Sequence, residues 1–396
     1  MTQASRTLNV RFKDRGTRFL IYPQPKGLKG FSRPEVVYVN AALGSISPGP
    51  EDEAIYTVDA DFKYAYAESR QRLPFRGPRL PPAEPDAEGH FDHVKPDERA
   101  FSSVTAYAIV RCVLEIWEGY LGRQLPWHFR KAYPRLELIP RAQTYNAWSG
   151  DGYLELGFIT DSKPYCENFD AVAHEMGHLI GWSLVGRPKR RSMTYRANDE
   201  ACADLVAIVS SLHFDAVVGH LLTHTKGNLF SANELSRIGE LSKTRQARKA
   251  FNSAKMSTVR KDSDPNPRKR KYKLSLPFTG GAFDVLVGIY EQGLIDRRVI
   301  SEDLRERSYR TRGREMARVQ REFAEHFKRR RLHFANALCD ARDYFGRLFA
   351  KALDNTSMSA RSHPTVAAKM IAADGELSGG RYGALIRQSF EWREIL

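Results

Sequence analysis

The spacing of apolar residues predicts three helices in the middle of the chain. Over Phe101 to Leu121, apolar side chains recur every three or four positions, which is the period of one helix face. Residues 170–185 contain no proline, carry Ala, Met, Leu and Ile at helical spacing, and end at GRPKRR. A third helix is predicted over NDEACADLVAIVSSLHF, with Asn198 or Asp199 as its N-terminal cap.

Shorter apolar runs separated by glycine and proline predict strands. Three of them lie between residues 18 and 70, namely RFLIY, EVVYVNAAL and AIYTVDADF. A stretch rich in proline and charge follows and favours a boundary before residue 97. Two later candidates are RLELIP and GYLELGFIT, and the turn signal SGDG before the second indicates a hairpin or a sheet edge. Most of the C-terminal half, outside the basic stretch 242–273, has helical periodicity.

Composition places the chain among folded intracellular proteins. Of its 396 residues, 42% are hydrophobic and 28% are charged, which argues against general disorder. No run of about 18 apolar residues suggests a membrane span, and the N-terminus lacks the apolar core of a secretory signal, so a cytoplasmic location is expected. The four cysteines form no CxxC pair, so reduced, partly buried thiols are expected.

The formal net charge of +15 favours acidic partners without selecting one. Much of the excess lies in residues 261–273 and in the arginine-rich stretch from Arg297 to Arg331. In the second stretch, arginine alternates with glutamate at helical spacing, which is typical of a solvated, ion-paired helix. Nonspecific attraction to polyanions is expected there, and specific nucleic-acid binding is the alternative.

The sequence HEMGH offers candidate metal ligands. Positions i and i+4 share one helix face, so the imidazoles of His174 and His178 can bind one ion while Glu175 lies beside them. Such a set suits zinc, because a bound zinc lowers the pKa of a water molecule and a neighbouring carboxylate can take its proton. HExxH also occurs in helices whose histidines merely pack or face solvent, so a third ligand is needed.

A glutamate on the next predicted helix is the candidate third ligand. In zinc sites of the pattern HExxHxxGxxH, the third ligand is a histidine six positions after the second one. Leu184 occupies that position here and cannot ligate. Glu200 lies 22 positions after His178, and Asp204, one turn further on, can accept the ring N–H of a ligand histidine. The alternative is a solvated acidic stripe at a helix N-terminus. The apolar neighbours of these carboxylates favour the metal site, since burial is costly for a carboxylate that neither coordinates nor pairs.

With these motifs, residues 97 to roughly 350 resemble the gluzincin metallopeptidases, in particular the thermolysin-like branch. The resemblance implies an α+β, zincin-type, two-lobed catalytic domain with a mixed upper lobe and a helical lower lobe. It would follow a small strand-rich region and linker at 1–96, with a zinc-binding lobe over 97–240 and a mainly helical lobe with basic segments over 241–396.

The resemblance also implies roles for individual residues. It makes His174, His178 and Glu200 the ligands of one Zn²⁺, Glu175 the general base, and Asp204 the partner of His174. The sequence YNAW matches a family edge-strand motif, so Asn146 and Ala147 are expected to hold a substrate backbone by strand addition. An ordinary edge strand with one buried tryptophan is the alternative for YNAW.

One family feature is missing. Thermolysin-like enzymes use a histidine of the helical lobe to stabilise the tetrahedral intermediate, and the corresponding stretch, KYKLSLPFTGGAF, has none. Tyr272 or Lys273 is a candidate replacement donor, and Tyr195 is another. The glycines of PFTGGAF are interpreted as a close-packed helix start.

The predicted function is a zinc-dependent hydrolase, a metallopeptidase that cleaves peptide or protein substrates with a metal-activated water and Glu175. Two alternatives stay open. The missing histidine is compatible with a catalytically silent, peptidase-like binding module. The basic segments are compatible with a nucleic-acid-binding protein that has a vestigial metal site.

Overall fold

A computed structural model describes residues 7–160, 163–230, 237–242, 245–261, 265–311 and 314–396. The fold is α+β, mostly helical with small sheets. Contacts divide the chain into two compact units, which we call the N-terminal unit (Ala4–Arg187 and Gly239–Arg245) and the C-terminal unit (Pro188–Ile238 and Gln246–Leu396). The domain boundaries predicted from the sequence stay predictions.

The helices and strands have the following bounds. The helices are α1 (Phe101–Leu121), α2 (Phe169–Val185), α3 (Met193–Ser211), α4 (Asp215–Thr225), α5 (Met256–Lys261), α6 (Pro267–Asp296), α7 (Glu302–Arg310), α8 (Arg314–Asp354), α9 (His363–Ser378) and α10 (Gly383–Trp392). The strands are β1 (Thr17–Ile21), β2 (Glu35–Val39), β3 (Ile55–Thr57), β4 (Leu136–Ile139), β5 (Ala147–Gly150), β6 (Tyr153–Leu156), β7 (Phe158–Thr160), β8 (Lys163–Pro164), β9 (Arg237–Ser242) and β10 (Arg245–Lys249).

The N-terminal unit contains a four-stranded sheet in the order β3-β4-β6-β5. Strands β3, β4 and β6 run parallel, and β5 is antiparallel to β6, with Gly150 opposite Tyr153. Gly152 in the connecting turn has a φ of +90°, which an L side chain rarely adopts. The predicted hairpin is therefore confirmed, and β5 forms one edge of this sheet.

Helix α1 is the buried centre of the N-terminal unit. It has the predicted bounds and ends at Gly122, whose φ of 69° is left-handed. The side chain of Phe19 on β1 stacks on Phe91 at 5.0 Å and meets Tyr107 of α1 at 5.7 Å between ring centroids. Because α1 also packs against α2, this core supports the helix that carries HEMGH.

The C-terminal unit is a helical assembly in which α3 packs mainly on α6, α6 packs on α8 and α10, and α8 packs on α9. Helix α3 starts five residues before the predicted cap. Its cap is Ser192, whose hydroxyl accepts a hydrogen bond from the Tyr195 backbone N–H at 3.1 Å. The prediction of Asn198 or Asp199 as cap was wrong, because both are buried inside α3, where Asn198 bonds to Arg361 and His363 and Asp199 pairs with Arg361.

PFTGGAF is not a helix start either, since α6 begins at Pro267 and continues through Pro277. The two glycines instead allow close packing. A Cβ at Gly280 would lie 2.5 Å from Nη1 of Arg393, and one at Gly281 would lie 2.9 Å from the Phe390 ring. Tertiary packing at the C-terminal end of the chain therefore explains why small residues occupy these positions.

The four cysteine side chains are buried and form no disulfide bond, namely Cys112, Cys166, Cys202 and Cys339. Within the described ranges, no single helix is both long and apolar enough to cross a membrane. Helices α3 and α4 meet that length and composition test only as a pair bent by 96°.

Candidate metal centre

Helix α2 positions the HEMGH residues, and its N-terminal end is fixed by specific contacts. The side chain of Asn168 caps the helix by accepting a hydrogen bond from the Ala171 backbone N–H at 3.1 Å. Asp170 in the first turn accepts a hydrogen bond from Gln24 at 3.2 Å, and Glu167 forms an ion pair with Lys26. The segment after β1 therefore anchors the metal-motif helix of the same unit.

The two imidazoles lie on one buried face of α2, as the four-residue spacing predicts. His174 is 8% exposed and His178 is 7% exposed. Their ring centroids are 4.8 Å apart, with the rings nearly perpendicular. His178 also stacks on Trp182, one turn further along, at 5.5 Å. Packing therefore limits the rotation of the imidazoles.

Glu175 is oriented by a residue that the sequence analysis missed. Ser149 of β5 donates a hydrogen bond from its hydroxyl to Oε2 of Glu175 at 2.7 Å. This contact ties the candidate general base to the edge strand that carries Ala147. The signal in the sequence was weak, since Ser149 is simply the residue after YNAW.

Glu200 on α3 has a cationic neighbour that the sequence analysis also missed. Glu200 is 4% exposed, and Nζ of Lys271 on α6 donates a hydrogen bond to its Oε1. Burial lowers the pKa of the Lys271 ammonium, but the adjacent Glu200 carboxylate outweighs this effect and the net shift raises the pKa. Tyr272, which was predicted as a donor, is 37% exposed, and the Lys271 ammonium lies 4.6 Å from its ring centroid.

The first half of α3 is held by a buried arginine. The Arg361 side chain is 0% exposed and forms an ion pair with Asp199 at 3.0 Å. It also donates hydrogen bonds to Oδ1 of Asn198 and to the hydroxyl of Tyr195, both at 3.1 Å. Burial raises the pKa of Tyr195, a candidate donor that is 3% exposed. These contacts fix the helix turn that precedes Glu200.

His363 completes this anchor as a neutral imidazole. Its Nε2 lies 2.8 Å from the Leu274 carbonyl, which can only accept a hydrogen bond, so Nε2 carries the proton. Its Nδ1 then accepts from the amide of Asn198 at 3.2 Å. Burial lowers the His363 pKa to about 4, consistent with a structural role at neutral pH.

His174, His178 and Glu200 together form a candidate metal site. One potential ligand atom from each residue lies within 4.8 Å of the other two, and all three residues are buried. Two imidazole nitrogens and one carboxylate oxygen are a donor set that zinc accepts, with a fourth position left for water or substrate. The residues present therefore fit a catalytic metal.

The other predicted residues are placed as follows. Asp204 is 0% exposed on α3, one turn after Glu200. Ala147 begins β5, and the Asn146 carbonyl accepts a hydrogen bond from the Gly157 backbone N–H at 2.9 Å. An edge strand is confirmed for Ala147 and Trp148, whereas Asn146 precedes it, and a role of this strand in substrate binding stays a prediction.

Comparisons with known proteins give little further guidance. No family model matches the sequence, and no curated protein matches it. Among solved structures, the precursor of protealysin, a metalloproteinase from Serratia proteamaculans, is similar to 74% of this chain and 90% of its own, with 11% identity and a TM-score of 0.36. A likeness this distant supports no functional assignment, which must rest on the chemistry of the site.

Proposed function

We propose that the protein is a zinc-dependent metallopeptidase of the gluzincin class, with a zincin-type catalytic domain and the thermolysin-like site that its motifs resemble. The observation that carries the proposal is the group formed by His174, His178 and Glu200, three buried ligands from two helices within 4.8 Å of one another. An HExxH helix that merely packs its histidines does not need a buried carboxylate beside them.

In this proposal, His174, His178 and Glu200 hold one Zn²⁺, and Asp204 fixes the ring of His174. When bound, zinc supplies a Lewis acid and makes water more acidic. Glu175 takes the proton from the attacking water at its carboxylate and later gives it to the leaving amine. Ser149 already bonds Oε2 of Glu175, which leaves Oε1 as the oxygen for that proton.

Lys271 is proposed as a positioning residue for Glu200. Its ammonium binds Oε1 of Glu200 and partly neutralises the carboxylate, which would leave the other oxygen to hold the metal ion. For stabilisation of the oxyanion, Tyr272 is the better candidate, because it is partly exposed, whereas Tyr195 is buried and bonded to Arg361. Either residue would replace the missing histidine.

The proposed substrate is a peptide or protein in an extended conformation. Strand β5 is an edge of the four-stranded sheet, so a peptide can pair with its outer side at Asn146 and Ala147. A cytoplasmic location and nonspecific attraction of the basic segments to polyanions also belong to this proposal.

The first experiment is elemental analysis of zinc in the purified wild-type protein and the Glu200→Ala variant. We expect about one zinc per chain in the wild type and clear loss in the variant, because a catalytic site has only three protein ligands. Arg310→Ala, a change at an exposed residue of α7, is the matched control and should retain zinc. If the wild-type protein contains no zinc even after reconstitution, the proposed zinc site is wrong.

The second experiment separates metal binding from chemistry. Glu175→Gln should retain zinc and lower peptide hydrolysis by about 10²- to 10⁴-fold, since it removes only the general base. Hydrolysis in the wild type should be blocked by a chelator. Undiminished hydrolysis by the Glu175→Gln variant would exclude the proposed mechanism.

A peptidase-like binding module is the second candidate function. The observation that favours it is the absence of histidine from the stretch 271–283, where the helical-lobe histidine is expected. The module predicts that zinc-loaded protein binds members of a peptide library tightly and leaves them intact. The peptidase predicts turnover of the same library.

A further inference from the structure

The C-terminal unit contains a large cavity away from the candidate metal ligands. Its volume is about 1660 Å³, and its walls come from α6, α7, α8, α10 and the segments around Phe230 and Phe251. Its lining includes neither Glu200 nor Lys271. The lining residue Glu291 follows Lys271 on α6 by twenty residues, or about 30 Å of helix at about 1.5 Å per residue. The volume exceeds that of typical small-molecule sites, about 300–1,000 Å³, so a small ligand and water both fit.

Glu291 is a buried acceptor in the wall of this cavity that is only half satisfied. It is 1% exposed, and its Oε2 accepts a hydrogen bond from the Tyr309 hydroxyl at 2.6 Å. Within the described part of the chain, its Oε1 accepts none. A buried acceptor without a donor is costly, which favours a ligand that donates a hydrogen bond there. Burial raises the pKa of this carboxyl to about 7, so a cationic donor would also keep it ionised at neutral pH.

The other charged groups of the cavity differ in whether they are paired with an opposite charge. Asp284 is paired with Arg393 at 2.7 Å, and Arg381 is paired with Asp296. Arg305 donates a hydrogen bond to the neutral side-chain amide of Gln292 at 3.1 Å. Among the described residues, no carboxylate lies within salt-bridge distance of Arg305. Its charge acts on Glu291 at longer range, where it lowers the pKa of that carboxyl, and it can still bind an anionic group of a ligand directly.

Aromatic rings form an apolar wall next to these two groups. The ring of Phe230 lies 4.1 Å from Tyr309 and 5.6 Å from Phe251, measured between centroids. Tyr309 and Arg305 are four residues apart on α7 and therefore share one face. The Tyr309 hydroxyl donates a hydrogen bond to Glu291. Glu291, Arg305 and the aromatic wall therefore belong to one site.

We propose that this cavity binds an α-amino acid with an apolar or aromatic side chain as a zwitterion. Its ammonium group donates to Oε1 of Glu291, its carboxylate accepts from Arg305, and its side chain packs on the rings of Phe230 and Phe251. A ligand with one positive and one negative group complements both Glu291 and Arg305. A ligand with only a positive group would be repelled by Arg305, and one with only a negative group would be repelled by Glu291. The site does not depend on the proposed peptidase function.

The test is isothermal titration of the full chain with three probes, namely L-phenylalanine, phenethylamine and 3-phenylpropionate. L-Phenylalanine should bind, and each probe that lacks one charged group should bind about 10- to 100-fold more weakly, since a hydrogen bond to a charged group is lost. Equal binding of phenethylamine and L-phenylalanine, or binding of none of the three, would overturn the proposal.

Two variants assign the contacts. Glu291→Gln should weaken L-phenylalanine about 10- to 100-fold and leave 3-phenylpropionate unchanged or tighter. Arg305→Met should weaken L-phenylalanine similarly and spare phenethylamine. Arg310→Met, on the same helix but exposed, is the matched control and should bind all three probes as the wild type does. If both site variants bind L-phenylalanine with wild-type affinity, the cavity does not hold the ligand; circular dichroism verifies that each variant is folded.

Discussion

Glu155 in the N-terminal unit and Glu291 in the C-terminal unit are both carboxylates with almost no exposed surface, yet their oxygens are satisfied differently. Lys63, itself 0% exposed, forms an ion pair with Oε1 of Glu155, and the Tyr66 backbone N–H donates to Oε2 at 2.8 Å. At Glu291, Tyr309 donates to one oxygen, and no described residue donates to the other.

The surroundings of Glu155 extend this contrast. The neighbouring buried carboxylate, Glu137, accepts hydrogen bonds from the hydroxyls of Tyr66 at 2.6 Å and Tyr56 at 2.8 Å and from the Phe75 backbone N–H at 3.0 Å. Burial raises the pKa of Glu155 and lowers that of Lys63, and their ion pair opposes both shifts. A buried carboxylate whose oxygens are all bonded supports the fold, whereas the unbonded oxygen of Glu291 at a cavity wall is the basis of the proposed ligand contact.

The largest effect is expected when the saturated network is broken, that is, the buried group of Lys63, Glu155 and Glu137 in which every carboxylate oxygen accepts a hydrogen bond. Lys63→Met leaves the Glu155 carboxylate buried without its cation, which should lower the free energy of unfolding by about 3–5 kcal/mol. Urea denaturation of the wild type and the variant measures this difference. The double variant Lys63→Met/Glu155→Gln removes the uncompensated charge and should recover part of the loss. A cost below about 1 kcal/mol for the single variant would contradict the saturated-network interpretation.

A smaller, pH-dependent effect is expected at Glu291. Its pKa is raised from 4.5 to about 7 in the folded protein, so the folded state binds this proton more tightly than the unfolded state does. Stability should therefore fall as pH rises from about 4.5, and it should level off above about 7. Glu291→Gln should remove this part of the pH dependence, which is on the order of 3 kcal/mol.

Denaturation of wild type and Glu291→Gln across pH 4 to 8 measures the effect. The pKa of Glu115 is also raised by burial to about 7, so the wild-type curve alone does not isolate Glu291. The difference between the two curves does, because Glu115 contributes equally to both. Parallel curves would show that Glu291 titrates normally.

The smallest effect is expected at an exposed ion pair. Arg310 lies 3.6 Å from Glu306 on α7, with side chains 81% and 54% exposed. Because water screens such pairs, Arg310→Ala should change the free energy of unfolding by less than about 0.5 kcal/mol. Urea denaturation beside Lys63→Met tests this, and a loss of several kcal/mol would show that burial is not what separates the two pairs.

Several elements could be predicted because their signals are local. The bounds of α1 follow from its apolar period and Gly122, and the hairpin of β5 and β6 follows from SGDG. The cap of α3 was predicted wrongly because Asn198 and Asp199 are good capping residues. Arg361 and His363, more than 160 positions away, satisfy both side chains within the helix instead. No local pattern contains that information.

At the candidate metal site, too, local spacing predicts some features, whereas packing decides others. The spacing of His174 and His178 fixes their common face, and their closeness to Glu200 agrees with the predicted ligand set. The ligand roles, the zinc and the peptidase reaction stay proposals. Tyr272 or Lys273 was predicted as the donor to the oxyanion, and the register of α6 against α3 brings the preceding residue, Lys271, to Glu200. A change of one residue rotates a helical position by about 100°, so only packing decides which side chain faces the carboxylate.

The sequence by itself determined the helix faces, the turn and the candidate ligand types, because helix and strand geometry relates residues a few positions apart. Only the tertiary structure decided which distant groups meet. It bonded Lys63 to Glu155 across 92 positions, tied Ser149 to Glu175, and left one oxygen of Glu291 without a described donor in a cavity. The physical reason is that satisfaction of a buried polar group depends on the groups that packing brings within hydrogen-bonding distance, and packing is a property of the whole fold.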